Sequence, residues 1–179
     1  MTPTTLDASD LATYAGTWTL DVSRTTVVLK TKAMWVLPVK GTARALEGTC
    51  RVGGDGSVEA RLVIDAASID TGMAKRDRHL RTADFFDTQA NPTIVFDLTG
   101  VRPVPGGPAA LEGTLLVHGQ SRPVTVLAEV GVEGDTATVV GTLDDLDRRD
   151  WGINWAKMGA GVHNHVQVTA VFTRNPPGE

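Results

Sequence analysis

The chain has a single cysteine, Cys50, in 179 residues. An intramolecular disulfide is therefore excluded, and folding asks for no oxidising compartment. Cys50 falls at an expected strand end and reads as a small, half-buried residue, since a reactive thiol needs an activating histidine or cation beside it. Basic surplus is also missing. The net charge is −4 and the isoelectric point about 5.5, against the cationic balance that binding to phosphate backbones asks for. Nucleic acid is accordingly not an expected partner. No apolar run approaches the roughly 18 residues of a membrane-spanning helix, so stable membrane insertion is not expected. The N-terminus shows neither the basic nor the apolar region of a signal peptide, and as written the sequence reads as a cytoplasmic, soluble protein. Phosphate-cradling glycine loops, Gly-x-Ser-x-Gly elbows and His-Glu-x-x-His pairs are lacking too, so no catalytic residue and no cofactor is assigned.

What is present is alternation. In residues 57–65 Val58, Ala60, Leu62 and Ile64 share one face, with Glu59, Arg61 and Asp65 opposite. Ile94, Phe96 and Leu98 repeat the pattern, as do Val124, Val126, Ala128 and Val130, then Val166, Val168, Ala170 and Phe172. Trp18, Leu20 and Val22 form a further such face. Period-two alternation marks half-buried strands. Turn signals at 53–56, 104–108, 118–123 and 133–135 divide the runs into eight to ten short strands. That spacing predicts an all-β sandwich or barrel in one domain, residues 15–175, after an N-terminal extension, 1–14.

Residues 71–86, Thr71-Gly-Met-Ala-Lys-Arg-Asp-Arg-His-Leu-Arg-Thr-Ala-Asp-Phe-Phe86, break the rhythm. Met73, Arg76, Leu80 and Ala83 recur at three- to four-residue spacing, which predicts a short helix between Gly72 and Phe86 with Thr71 as its N-cap. Such a helix closes one end of a barrel, with Leu80, Phe85 and Phe86 turned inward.

These residues resemble the signature of the YceI-like family of polyisoprenoid- or lipid-binding proteins. Ser68, Ile69, Thr71 and Gly72 match its first segment. Arg76, Asp77, His79, Leu80, Arg81, Asp84, Phe85, Phe86 and Asp87 match the central one, and Pro92, Ile94 and Phe96 the strand that follows. Gly113, Leu115, His118, Gly119, Pro123 and Val124 resemble the family's later hairpin. Its Arg-x-Asp-Phe/Trp-Gly segment is met through Arg149, Asp150, Trp151 and Gly152. The chain departs from the pattern after the first strand, where Val22-Ser23-Arg24 and, later, Lys30–Trp35 carry no histidine.

The resemblance implies an eight-stranded antiparallel, lipocalin-like β-barrel with a short capping α-helix, its interior an apolar tunnel for an amphiphile such as an isoprenoid quinone or prenyl phosphate. Candidate tunnel residues are Trp18, Leu29, Met34, Trp35, Phe85, Phe86, Phe96, Leu98, Trp151, Trp155 and Phe172, with Arg76 and Arg81 as candidate head-group contacts. The residues themselves leave alternatives. The four tryptophans fill a core or line a tunnel. The cluster Lys75, Arg76, Arg78 and Arg81 clamps an anion, or Arg76 pairs with Asp77 while the others are solvated. His163 and His165 share a strand face and so could join in binding a metal, yet no third ligand is specified and no metal is expected. Asp144, Asp145, Asp147 and Asp150 read as a solvated turn, Asp150 being held by Arg148 or Arg149. The functions in play are a non-enzymatic carrier of a hydrophobic small molecule, a small barrel enzyme using His79 or Asp150, and a filled-core barrel without a ligand. A homodimer is compatible with each.

Overall fold

The alternating runs pair into one antiparallel sheet. The computed structural model describes residues 8–104 and 107–178. Among them are nine strands: β1 (Gly16–Leu20), β2 (Thr26–Ala33), β3 (Leu37–Val52), β4 (Val58–Asp70), β5 (Thr93–Arg102), β6 (Ala109–Val117), β7 (Gln120–Glu133), β8 (Thr136–Asp147) and β9 (His163–Arg174). From β2 to β9 each strand pairs with the next, and β9 returns to β2, closing the ring.

The ninth strand adds no ninth position. β1 pairs with β3 through Gly16↔Val52 and with β9 through Leu20↔Phe172. β2 pairs with the same two neighbours further along, through Val27↔Ala43 and Val27↔Val168. β1 and β2 are thus two halves of one stave in a closed eight-stranded barrel. A single 3-10 turn, Val22–Arg24, separates them, and the Asp21 carboxylate caps it by accepting from the Ser23 backbone N–H. Val22 therefore leaves the face of Trp18 and Leu20 on which its spacing had put it, and it stands 45% exposed. Closure removes the free edges that a sheet of this length would otherwise present. Register shifts in the β3–β4, β5–β6 and β8–β9 ladders bend the strands around the ring.

The turn expected over 118–123 shrinks to two residues. Val117 and Gln120 are paired, and His118 and Gly119 both take positive φ, 53° and 72°. Two successive left-handed residues match the twist of the flanking strands. The turn signal at 104–108 lies partly outside the described residues.

Helix α2 covers Ala74–Leu80, shorter than the spacing predicted, and its N-cap is Met73 rather than Thr71. The chain then coils tightly: the Phe85 and Phe86 backbone N–H groups donate to Thr82 O and Leu80 O. Continuing the helix would carry both phenylalanines past the barrel; the coil turns them into it. Helix α1 (Ala8–Leu11) and a 3-10 turn, Ala12–Tyr14, lie at the other end. The Trp18 indole donates to Tyr14 O at 3.0 Å. The rest of the expected extension, residues 1–7, is outside the described residues.

Two clusters sit beneath α2. Val27, Ala43, Ile64 and Ile69 form one; Phe85, Val117, Trp151 and Ile153 form the other, and Leu80 and Phe86 pack against both. Further down, the packing thins to one small cluster, Leu20, Ala45 and Ala170. Among the described residues no large side chain falls below 2% exposure. Leu62, Phe96, Leu98, Val166, Val168 and Phe172 point inward yet are only half-buried. A filled interior would be packed to crystal-like density; this barrel is hollow.

Candidate functional site

The bore is a cavity of about 740 Å³, within the range of about 300–1,000 Å³ typical of small-molecule sites. Alternation accounts for its wall. Val58, Ala60, Leu62 and Ile64 on β4, Ile94, Phe96 and Leu98 on β5, and Val166, Val168, Ala170 and Phe172 on β9 all line it. Gly113 on β6 makes room for Phe96. A Cβ there would lie 2.4 Å from Asp97 O and 2.7 Å from the Phe96 ring. Cys50 also faces the bore, and burial pushes its thiol up to about 11. At the far end Leu11 and Tyr14 complete the wall beside Trp18.

Charge is distributed unevenly along this wall. No aspartate or glutamate lines it among the described residues, and of its basic groups all but Arg61 gather at the α2 end: Lys32, Lys75, Arg76, His79, Arg148 and Lys157. Arg76 is fixed by Thr71, donating through Nε to the Thr71 hydroxyl at 2.7 Å and through Nη2 to Thr71 O at 3.0 Å. Asp77, buried at 6% exposure, accepts from the Thr71 N–H and hydroxyl. Arg76 and Asp77 therefore meet through Thr71 rather than as the direct pair expected.

Arg148 is the most buried cation. Its guanidinium donates to Ile153 O at 2.8 Å, Gly161 O at 2.9 Å and Ala160 O at 3.4 Å, and it lies 5.2 Å from the centre of the Phe85 ring. Burial lowers its affinity for the proton, but an arginine at this depth stays charged. Carbonyl dipoles, not a carboxylate in ion-pair contact, balance that charge among the described residues. His79 stands edge-on to Phe85 and Trp155, at 5.1 and 4.5 Å between ring centres, and its Nε2 meets Asp84 Oδ2 at 2.8 Å.

Of the residues singled out in the sequence, Trp18, Leu29, Met34, Phe85, Phe86, Phe96, Leu98, Trp151, Trp155, Phe172 and Arg76 line the cavity. Trp35 does not. It sits at the tip of the β2–β3 turn, 75% exposed. Arg81 is also outside the wall, donating through Nε to Ala67 O. Sequence reasoning passed over Arg148, although the signal was there: in Arg-x-Asp-Trp-Gly the arginine two places before Asp150 is Arg148, not Arg149. Arg149 instead makes a two-toothed pair with Asp147, which holds that carboxyl down at about 2. A depressed value means the pairing contributes above the ordinary carboxylate range and is lost as pH falls toward 2. Asp150 is bound by neither arginine's side chain; its backbone carbonyl accepts from Arg122.

His163 and His165 each face an acid, Asp145 and Asp144. Among the described residues no group of three or more His, Cys, Asp or Glu stands close enough to hold a metal. No described helix is long and apolar enough to cross a membrane.

A closed eight-stranded antiparallel ring, hollow along its axis and basic at one rim, is a lipocalin-shaped β-barrel. The chain belongs to the YceI-like domain family, whose domain matches residues 18–173. It is 38% identical over 77 residues to a UPF0312 protein of Pseudomonas aeruginosa, covering 43% of this chain and 40% of that one. To a UPF0312 protein of Vibrio cholerae it is 35% identical over 111 residues, 59% of this chain and 57% of that one. The chain thus spans about two to three fifths of the curated relatives it matches. Among solved structures, BcnA of Burkholderia cenocepacia superposes with a TM-score of 0.70 at 21% identity, over 87% of this chain and 99% of that one. A polyisoprenoid binding domain from Saccharophagus degradans gives 0.65 at 14% identity, over 88% and 98%.

Proposed function

We propose that the protein is a non-enzymatic carrier or store for one long-chain amphiphile, an isoprenoid with an anionic head group, held in the bore with its head at the α2 end. The observation that carries this reading is the polarity of the cavity: apolar from Trp18 to Leu80 apart from Arg61, free of carboxylates along its described wall, and basic at one mouth. Each methylene moved from water into such a bore contributes about 0.8 kcal/mol, so a prenyl chain is retained without any bond being made. Arg148, Arg76 and the wall lysines Lys32, Lys75 and Lys157 supply donors for a phosphate or similar anion. Those cations favour a prenyl phosphate over a neutral quinone, which gains little from them. The fold shared with a polyisoprenoid binding domain supports the same chemical class of ligand.

The His79–Asp84 pair has the form of an acid/base dyad, but His79 is wedged edge-on between two aromatic rings. Asp150, the other candidate acid, is not part of the wall. A hollow interior also disfavours the filled-core barrel. Native mass spectrometry of the protein purified from its own host, followed by lipid extraction, tests the reading. We expect a one-to-one adduct that yields an acidic prenyl lipid. An apo mass alone, with nothing extracted, overturns it.

A further inference from the structure

Several apolar residues around the mouth at the α2 end stay exposed to solvent. Met34, Trp35, Val36 and Leu37 at the β2–β3 turn are exposed by 58, 75, 74 and 52%, Met73 before α2 by 53% and Met158 by 77%. These six account for most of the exposed large apolar side chains in the described residues, and Met34, Met73 and Met158 line the cavity as well. Scattered apolar residues on a surface need no explanation, but a contiguous patch does.

The backbone here is also costly. Met34, Trp35 and Met158 all hold left-handed φ, at 48°, 65° and 57°. Such positions suit Gly or Asn, and large apolar side chains pay about 1–3 kcal/mol of strain there. Rigid cross-links keep the geometry: the Trp35 N–H donates to Gly159 O at 3.1 Å, and the Gly161 N–H to Lys32 O at 2.7 Å. The turn and the 157–161 segment form one braced unit that holds its apolar side chains out in solvent. Local rules broken where the surroundings are ordered point to function.

Charge supplies the second observation. Every lysine of the chain, Lys30, Lys32, Lys40, Lys75 and Lys157, lies on the strands and segments that frame this mouth. All five are exposed, and none takes part in an ion pair among the described residues. Lys30 and Lys40 even stand opposite each other across β2 and β3, an arrangement that repels. The acids that end β8 on the same rim have partners other than these lysines: Asp144 meets His165, Asp145 meets His163 and Asp147 meets Arg149. Asp70, opposite Thr42, accepts from the Gly72 N–H. A chain with net charge −4 thus gathers its lysines around one exposed apolar tip.

We propose that this tip is a docking surface for an anionic phospholipid bilayer, against which the mouth of the cavity opens to load or release its ligand. Trp35 and the methionines enter the interfacial layer, where an indole is favoured, and the lysine stems snorkel to the phosphates. The rest of the surface, net acidic, is repelled and sets the orientation. The proposal deepens the carrier reading but fails separately from it, because neither Trp35 nor Lys30 nor Lys40 lines the cavity.

The test is co-sedimentation of the full chain with vesicles of pure phosphatidylcholine and with vesicles containing about one-third phosphatidylglycerol. Each lysine near an anionic surface strengthens partitioning about fivefold. We expect binding to the anionic vesicles at least about tenfold tighter than to the neutral ones, weakening with salt, with a blue shift of tryptophan emission. Trp35→Asn should abolish the shift and the binding while leaving the fold at least as stable, since Asn accepts left-handed φ. Lys30→Ser with Lys40→Ser should weaken binding at least about tenfold. Prenyl phosphate uptake in vesicle-free solution should be unchanged in both variants. Equal partitioning to both vesicle types, or none to either with capture only by a protein, overturns the proposal, as does full binding by Trp35→Asn.

Discussion

Arg148 shows how one residue can serve the fold and the site together. Three of its N–H groups tie Ile153, Ala160 and Gly161 into the connection that closes the α2 end, while its planar face covers Phe85. Its charge remains available to whatever anion reaches the mouth. Cys50 is the quieter case. Its thiol faces the bore among Trp18 and Ala60, its partners in the ladders of β1 and β4, and burial alone raises it to about 11. Reaction with a disulfide reagent at pH 8 should therefore run at least about a hundredfold slower than for a free cysteine near 8.5. Saturating the bore with ligand should slow it further. Labelling at the rate of an exposed thiol would mean that the bore is open to water at this depth.

At the scale of elements, the cap decides whether the bore is sealed. α2 contributes little of its own, being seven residues long and too short to be stable alone. Its place is set by Asp77 on Thr71, and by Leu80, Phe85 and Phe86 in the two clusters. Leu80→Asp puts an unpaired carboxylate into that apolar contact. We expect a stability loss of about 2–4 kcal/mol in chemical denaturation, whereas Ala83→Asp, at an exposed site, should stay within about 0.5 kcal/mol. Equal, small effects would show that the cap is not packed. This element also marks how far the sequence could be read. Leu80, Phe85 and Phe86 were legible as inward residues because their apolar side chains have nowhere else to go. The helix end was not: i, i+3 spacing persists through Ala83, while the coil that ends the helix at Leu80 depends on tertiary burial of the two phenylalanines. Trp35 was misread for the opposite reason. An apolar residue was assigned to the interior by its type, but a turn only three residues long between paired strands holds it outside.

For the whole molecule, the ring could be foreseen from period-two faces, since half-buried strands must close or stack. The hollow could not. Alternation is the same for a packed barrel and an empty one, and the difference lies in volumes summed over eight staves. Small wall residues such as Ala60 beside Leu98, Ala137 beside Phe172, and Gly141 leave the space. The gathering of basic groups at one mouth was equally hidden, because Lys32, Arg76, Arg148 and Lys157 are far apart in the chain and meet only through the barrel's register.

The claim that matters most is that the bore itself takes up the amphiphile. It is tested by calorimetric titration of delipidated protein with a twenty-carbon prenyl monophosphate, run in parallel on Ala137→Phe, which pushes a phenyl ring into the bore from a half-buried wall position. The account predicts one site per chain, a negative heat-capacity change from apolar burial, affinity at least about tenfold above that for the neutral prenyl alcohol, and loss of binding in Ala137→Phe with the fold retained. Absence of saturable heat in the wild-type chain, or equal affinity in the filled variant, would contradict it.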